Sequence, residues 1–179
     1  MLKQVSMEDL GRMSVEDYVL APKIPLVVAA DGIRSMSNVG SIFRTCDCFR
    51  VERLMLCGIT PIPPHREIHK TALGATESVE WAYEQDITKV LADYKAKGYR
   101  IYALEQTNKS ILMNKVEIAA DEKAVLILGN EVSGVSQEAL DMADAALEIR
   151  QEGTKHSLNV SVAAGIALYV FFEAMFGGN

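Results

Sequence analysis

The stretch LVVAADGIRSMSNVGSIFRTCDCFRVERLMLC, residues 26–57, decides the fold class. It opens with an apolar run at 26–30 that has the length and composition of a buried strand. Over 39–49 the apolar residues recur at helical spacing, and a second apolar run at 54–57 predicts the next strand. A strand, a helix and a strand in succession are typical of a parallel sheet.

The same alternation continues along the chain. The further predicted elements are strands at 99–104, 124–128 and 145–149, and helices that begin near His65, Asp86 and Ser136. No linker, repeat or low-complexity stretch divides this pattern. We therefore expect a single α/β domain over residues 21–179, with a parallel sheet flanked by helices.

The two ends of the chain differ in character. Residues 1–20 contain two S-x-x-D patterns, Ser6 to Asp9 and Ser14 to Asp17, which predict two short helix starts in a surface appendage. Residues 158–176 are strongly apolar but include polar residues such as Asn159 and Glu173. A helix buried on all sides is the plainer interpretation of this segment than a membrane span, and Gly177-Gly178 would end it.

Composition narrows the class of protein. The chain has 179 residues, with 18 Lys and Arg against 24 Asp and Glu, so its net charge of −6 argues against nucleic-acid binding by bulk charge. Three cysteines are an odd number, which argues against a disulfide framework and favours a reducing compartment. With no apolar core in residues 1–20 to serve as a signal peptide, we expect a cytoplasmic protein.

Several familiar site signatures fail. The turn after Leu128 has phosphate-loop glycine spacing but places Val135 where that loop needs lysine. His65 and His69 could share a helix face, yet no third ligand lies nearby, so we expect no metal site. Cys46 and Cys48 are interpreted as small, buried or half-buried residues and not as a redox pair.

What remains is a set of polar residues beside predicted strand ends and helix starts. They are Asn38, Arg44, Glu131, Ser157, Asn159 and Ser161. Helix capping could account for Asn38 or Ser157 taken singly, and that alternative stays open for each residue alone.

These residues lie within three blocks of sequence. The blocks are NVGSIFRT at 38–45, LILGNEVSG at 126–134 and HSLNVSVAAGI at 156–166. Their order and spacing resemble the signature of the SpoU (TrmH) class of RNA methyltransferases, over residues 25–176. The chain departs from that pattern at Val132 and Arg50, where glycine is common, and at Arg150-Gln151, where a Pro-Met pair is usual.

The resemblance implies a SPOUT fold, in which the C-terminal part of the sheet is threaded as a trefoil knot. It also implies that S-adenosylmethionine is bound in a bent shape by the knot loops. On this chain those loops lie at Leu104, Gly129, Ile149 and Leu158. A homodimer whose two chains share each active site is a further implication.

The activity implied is methyl transfer from S-adenosylmethionine to a ribose 2′-hydroxyl of tRNA or rRNA. Arg44 is placed at the hydroxyl, either as a base helped by the substrate phosphate or as a phosphate clamp. Asn38 would orient the arginine or the ribose, Glu131 would hold its loop, and Ser157 and Asn159 would order the knot loop. The alternative is a non-catalytic RNA- or nucleotide-binding module of the same fold.

Local charge permits an RNA partner in spite of the acidic whole. Residues 32–70 carry six basic residues against three acidic ones. Five of the six are expected to contact RNA, and they are Arg34, Arg50, Arg53, Arg66 and Lys70. Phosphate contacts need charge only where the backbone lies.

Overall fold

The fold is described by a computed structural model that covers residues 2–6 and 9–176. Its strands are β1 (Ile24–Asp31), β2 (Val51–Cys57), β3 (Trp81–Glu84), β4 (Arg100–Leu104), β5 (Ile111–Leu112), β6 (Ala124–Leu128) and β7 (Ala145–Glu148). Its helices are α1 (Val15–Leu20), α2 (Met36–Cys48), α3 (Arg66–Ala72), α4 (Ala75–Ser78), α5 (Ile87–Ala96), α6 (Gln137–Met142) and α7 (Val160–Phe176). The α/β class predicted from the sequence is confirmed.

The strands form one parallel sheet in the order β3-β2-β1-β6-β4-β7-β5. The central strands β1 and β6 are apolar on both faces because helices cover both faces. Leu26 and Val28 pack toward α2 and α7, whereas Val27 and Ala29 pack toward α5 and α6. The resulting core has two layers, one on each side of the sheet.

The order of strands changes direction between β1 and β6. From β1 the chain moves outward to β2 and β3, and the later strands then build the other half of the sheet. In such sheets ligands bind outside the carboxyl ends of the strands at this switch point. The trefoil knot stays a prediction, since the strand order alone does not show how the chain threads.

Helix α2 starts beside this switch point and packs closely on α3. The Ser35 side chain caps its first turn by accepting from the Asn38 amide. Gly40 lies against the backbone of α3, where any Cβ would clash with the Ile68 carbonyl. The close approach requires glycine, and it holds α3 against the first turns of α2.

Helix α7 is not buried on all sides, which corrects the expectation from its hydropathy. Ala164, Leu168 and Phe171 are fully buried against the sheet and α2. On the opposite face Val162 and Tyr169 are each 52% exposed. Hydropathy shows that a helix is apolar, but it does not show which of its faces packs against the rest of the chain.

Within the described part of the chain, no helix is long and apolar enough to cross a membrane. The glycines expected to end α7, Gly177 and Gly178, lie outside the described residues.

Two smaller expectations also differ from the structure. Ser14 caps α1 as predicted, but only a turn at 9–11 follows Ser6, although the Ser6 hydroxyl does accept from the Asp9 amide. Residues 7 and 8 lie outside the described residues. Cys46 is buried, whereas Cys48 is exposed because α2 turns that position away from the sheet.

Candidate active site

A cavity of about 680 Å³ opens at the carboxyl ends of β4, β6 and β7 and is closed on one side by the start of α7. All four residues expected to contact the cofactor line it, namely Leu104, Gly129, Ile149 and Leu158. Its volume lies within the range of about 300–1,000 Å³ that is usual for small-molecule sites. The cavity therefore has the place and size of a cofactor site.

The loop after β6 forms one wall of this cavity and is tightly closed. Asn130 and Gly134 exchange two backbone hydrogen bonds of 2.9 and 3.0 Å, and the Asn130 carboxamide accepts from the amides of Val132 and Ser133. Gly134 has φ of 72° and lies against the Glu105 carboxylate, so a side chain there would be both strained and obstructed.

Glu131 links this wall to the first block of sequence. Its carboxylate accepts from the amides of Arg34 and Ser35 at 2.9 and 3.0 Å and from Asn38 Nδ2 at 2.9 Å. Partial burial alone would raise the pKa of Glu131, but these hydrogen bonds outweigh it and hold the pKa below its usual range. The carboxylate is therefore charged at neutral pH and holds the 31–35 loop in place.

Asn38 extends the link to the third block. Asn159 Nδ2 donates to Asn38 Oδ1 at 3.1 Å, and Asn159 Oδ1 accepts from the amide and hydroxyl of Ser161 at the start of α7. Asn38 is only 8% exposed, and its carboxamide bonds both Glu131 and Asn159. Three blocks that lie far apart in the sequence thus meet in one chain of hydrogen bonds.

Arg44 and Ser157 lie outside this chain of bonds. Arg44 is exposed on α2, and among the described residues it forms no hydrogen bond or ion pair. Ser157 is exposed and lines the cavity, in a segment that Gln106 holds by donating to the His156 carbonyl. Both side chains are free to meet a bound ligand.

The structure divides the five basic residues expected to contact RNA. Arg34 is exposed in the 31–35 loop, and Arg66 and Lys70 are exposed on α3, which Thr71 bonds to the Ser37 carbonyl of α2. These three lie on the carboxyl side of the sheet, since Arg34 follows β1 and α3 packs on the start of α2.

Arg50 and Arg53 lie near the opposite, amino edge. Arg50 precedes β2, with its guanidinium 4.8 Å from the centre of the Phe176 ring, and Arg53 is ion-paired with Glu80. Since a strand rises about 3.3 Å per residue, the start of β2 is roughly 20 Å from its end.

His65 has a structural role, since its Nδ1 accepts from the Glu67 amide at the start of α3. Over residues 2–6 and 9–176, no three His, Cys, Asp or Glu side chains are grouped so as to hold a metal ion.

Three residues of the site escaped the sequence analysis. Asn130 Nδ2 donates to the Gly32 carbonyl at 2.6 Å, and Glu105 accepts from the Val135 amide across the cavity wall. Both directly follow or adjoin a predicted strand end, which is a usable signal. Thr60, buried behind the 31–35 loop, directly precedes Pro61 in the loop at 58–64, and a threonine beside prolines carries no such signal.

Fold and cavity define an α/β protein that holds a small ligand at the carboxyl edge of a parallel sheet, next to polar side chains from three separate segments. The SpoU rRNA Methylase family matches residues 25–169, and the chain belongs to this family. The resemblance drawn from the three blocks is confirmed.

Two relatives show the extent of the similarity. A tRNA (guanosine(18)-2′-O)-methyltransferase of Aquifex aeolicus is 33% identical over 150 residues, which cover 80% of this chain and 67% of the relative. A putative TrmH family tRNA/rRNA methyltransferase of Staphylococcus aureus is 28% identical over 147 residues, 82% of this chain and 58% of the relative. The chain thus spans little more than half the length of the second relative.

Solved structures agree with the fold. The A. aeolicus TrmH/SpoU tRNA modifying enzyme superposes with a TM-score of 0.79 at 29% identity, covering 89% of this chain and 81% of that one. An AdoMet-bound rRNA methyltransferase from Sinorhizobium meliloti gives 0.74 at 27% identity, covering 82% of this chain and 55% of that one.

Proposed function

We propose that this chain transfers a methyl group from S-adenosylmethionine to a ribose 2′-hydroxyl in tRNA or rRNA. The observation that carries the proposal is the hydrogen-bonded chain Glu131–Asn38–Asn159 at the mouth of the cavity. It joins the cofactor-sized cavity to the helix that bears Arg44. Family membership and the named activities of the relatives support the same conclusion.

The cavity suits S-adenosylmethionine in charge as well as in size. Among the described residues, its lining includes the carboxylates of Glu105, Glu131 and Glu148 and no Lys, Arg or His. S-adenosylmethionine carries a sulfonium and an ammonium against one carboxylate, so a negative lining favours it. Apolar side chains such as Leu128 and Leu140 offer a surface for the adenine ring. When bound, the cofactor would supply an activated methyl group on its sulfonium.

The protein's own part is to present the ribose hydroxyl. A 2′-hydroxyl is a poor nucleophile, so rate depends on holding it in line and on handling its proton. Arg44 is exposed and free, and a guanidinium stays charged in proteins, which suits it to clamp a backbone phosphate by two hydrogen bonds. A clamped phosphate oxygen next to the ribose can then take the proton. Asn38 is held by Glu131 and Asn159 at the start of the same helix.

We also infer a homodimer. Val162, Ile166 and Tyr169 form an apolar stripe along the outer face of α7, at 52%, 39% and 52% exposure. The start of the same helix lines the cavity through Val160 and Ala163. A second copy seated on the stripe would therefore lie next to the cavity and could contribute to the site.

The proposal is tested by Arg44→Ala and by Arg100→Ala, a control arginine at the amino edge of the sheet. Bulk tRNA and rRNA from a strain that lacks the gene serve as substrates, with labelled methyl transfer and nucleoside mass spectrometry as readouts. Arg44→Ala should lose roughly a hundredfold or more in rate, while calorimetry gives an unchanged affinity for S-adenosylmethionine. Arg100→Ala should keep both.

Full activity in Arg44→Ala would contradict its assigned role. A wild-type chain that binds neither S-adenosylmethionine nor its demethylated product would instead favour the non-catalytic binding module.

A further inference from the structure

Thr60 is a polar residue enclosed in the apolar interior just behind the site. It follows β2 in the proline-rich loop at 58–64, and only 3% of it is exposed. Buried hydroxyl groups are retained where they complete hydrogen bonds that the backbone would otherwise lack. The partners of Thr60 therefore indicate its role.

Those partners are the two ends of a tight turn that follows β1. Thr60 Oγ1 donates to the Ala30 carbonyl at 3.1 Å and accepts from the Ile33 amide at 3.0 Å. The Cys57 carbonyl reinforces the junction by accepting from the amides of Thr60 and Gly32 at 3.1 and 3.2 Å. One hydroxyl thus bridges the last residues of β1 and the turn beyond them.

The same turn carries the groups that reach the site. The amides of Arg34 and Ser35 bind Glu131, and the Ser35 hydroxyl caps α2 by accepting from the Asn38 amide at 3.3 Å. The Gly32 carbonyl accepts from Asn130 on the opposite side. The turn is held by the β6 loop on one side and by Thr60 on the other.

We propose that Thr60 is a positioning residue for methyl transfer, acting through the 31–35 turn to set where α2 presents Asn38 and Arg44. This inference rests on the proposed function. Thr60 lies behind the turn and is not among the residues that line the cavity. It should therefore govern the rate of the transfer step and not the affinity for the cofactor.

Ser78 in α4, which contacts the far end of α2, provides a matched control. Ser78 is also buried, at 8% exposure, and its hydroxyl bonds Asp47 near the end of α2 and the Ala75 carbonyl. Loss of this hydroxyl removes one hydrogen bond to α2 and one within α4, without touching the 31–35 turn. Replacing Ser78 therefore shows how the loss of buried hydrogen bonds affects the protein when the 31–35 turn is left intact.

The experiment compares Thr60→Val, Thr60→Ser and Ser78→Ala in the full chain. Thr60→Val keeps the shape but not the hydroxyl, and its kcat should fall on the order of tenfold to a hundredfold, as small misplacements do. Its Kd for S-adenosylmethionine, measured by calorimetry, should stay within about twofold of wild type. Thr60→Ser should restore most of kcat, and Ser78→Ala should lower Tm while kcat is kept.

A second readout needs no activity. Amide hydrogen exchange at Arg34 and Ser35, followed by NMR, should be faster in Thr60→Val than in wild type or in Ser78→Ala. Equal kcat in Thr60→Val and wild type, or unchanged exchange at these two amides, would overturn the inference. A wild-type chain with no activity on any RNA would count against the proposed function instead, and the exchange measurement would still decide the part played by Thr60.

Discussion

The Glu131 carboxylate accepts hydrogen bonds from the amides of Arg34 and Ser35 and from the Asn38 side chain. Replacing Glu131 by glutamine tests how much these bonds depend on its charge. Glu131→Gln should lower the free energy of unfolding by about 1 kcal/mol at pH 7, since hydrogen bonds to a charged group are worth more than neutral ones but are weakened by solvent exposure. The pKa of Glu131 lies below its ordinary 4.5 in the folded chain. Its contribution is therefore complete above that pH and is lost as the pH falls through the folded-state pKa.

Urea unfolding at pH 7 and at stepwise lower pH measures this effect. The difference between wild type and Glu131→Gln should be largest at pH 7 and should narrow as the pH falls below about 4.5. Glu117 is exposed and, within residues 2–6 and 9–176, has no hydrogen bond or ion pair, so Glu117→Gln is the control. A difference that grows on acidification would show that the charged carboxylate is not what stabilises the turn.

Among the elements, α7 carries the exposed apolar stripe that the proposed dimer would cover. Ile166 is at the centre of its exposed apolar stripe, so Ile166→Asp leaves the buried face intact and places a charge where the second copy would pack. We expect this change to prevent the proposed dimer from forming and to leave a monomer that keeps its secondary structure. Light scattering after size exclusion measures the mass, and circular dichroism checks the helix content.

Ala92→Asp is the control for that change, because Ala92 is exposed on α5 on the other face of the sheet. It should leave the mass unaltered. A wild-type chain that is monomeric at micromolar concentration would refute the proposed dimer directly.

The sequence predicted correctly the elements that are buried on all faces. The strand at 124–128 was predicted at its observed bounds because β6 is buried on both faces and reads as an unbroken apolar run. It failed for α7, whose outer face is as apolar as its inner one. It also missed Thr60, because a threonine beside prolines looks the same whether it is buried or exposed.

At the scale of the whole molecule, the sequence alone could not predict which site residues form hydrogen bonds with one another. Glu131 and Asn38 are 93 residues apart, and Asn38 and Asn159 are 121 apart. The three blocks identified which residues matter, but only the strand order, with β1 next to β6, places them together. The trefoil knot stays a prediction, because a knot depends on how the chain threads and neither the residue pattern nor the strand order shows that.

The distribution of charge over the molecule leads to a prediction about RNA affinity. Lys70 is exposed at the carboxyl edge of the sheet, whereas Arg53 is paired with Glu80 near the amino edge. Lys70→Ala should weaken RNA binding and reduce the slope of log K against log salt by roughly 0.7–0.9, the value of one phosphate contact. Arg53→Ala should change neither quantity.

Fluorescence anisotropy of labelled RNA over a series of salt concentrations measures both the RNA affinity and its dependence on salt. Equal losses in the two variants would mean that RNA covers both edges of the sheet, contrary to a footprint confined to the carboxyl edge.

Glu131 is both a wall of the cavity and the acceptor for the turn that leads to α2, so on the proposed function it would link the binding of S-adenosylmethionine to the binding of RNA. A cofactor that bonds this carboxylate would weaken its bonds to the turn and so change the surface offered to RNA, and RNA on that surface would act back on the cavity. Reciprocity then requires that each ligand change the affinity of the other by the same factor, in the same direction. On the proposed function, cofactor bound at Glu131 would therefore change how firmly the chain retains RNA.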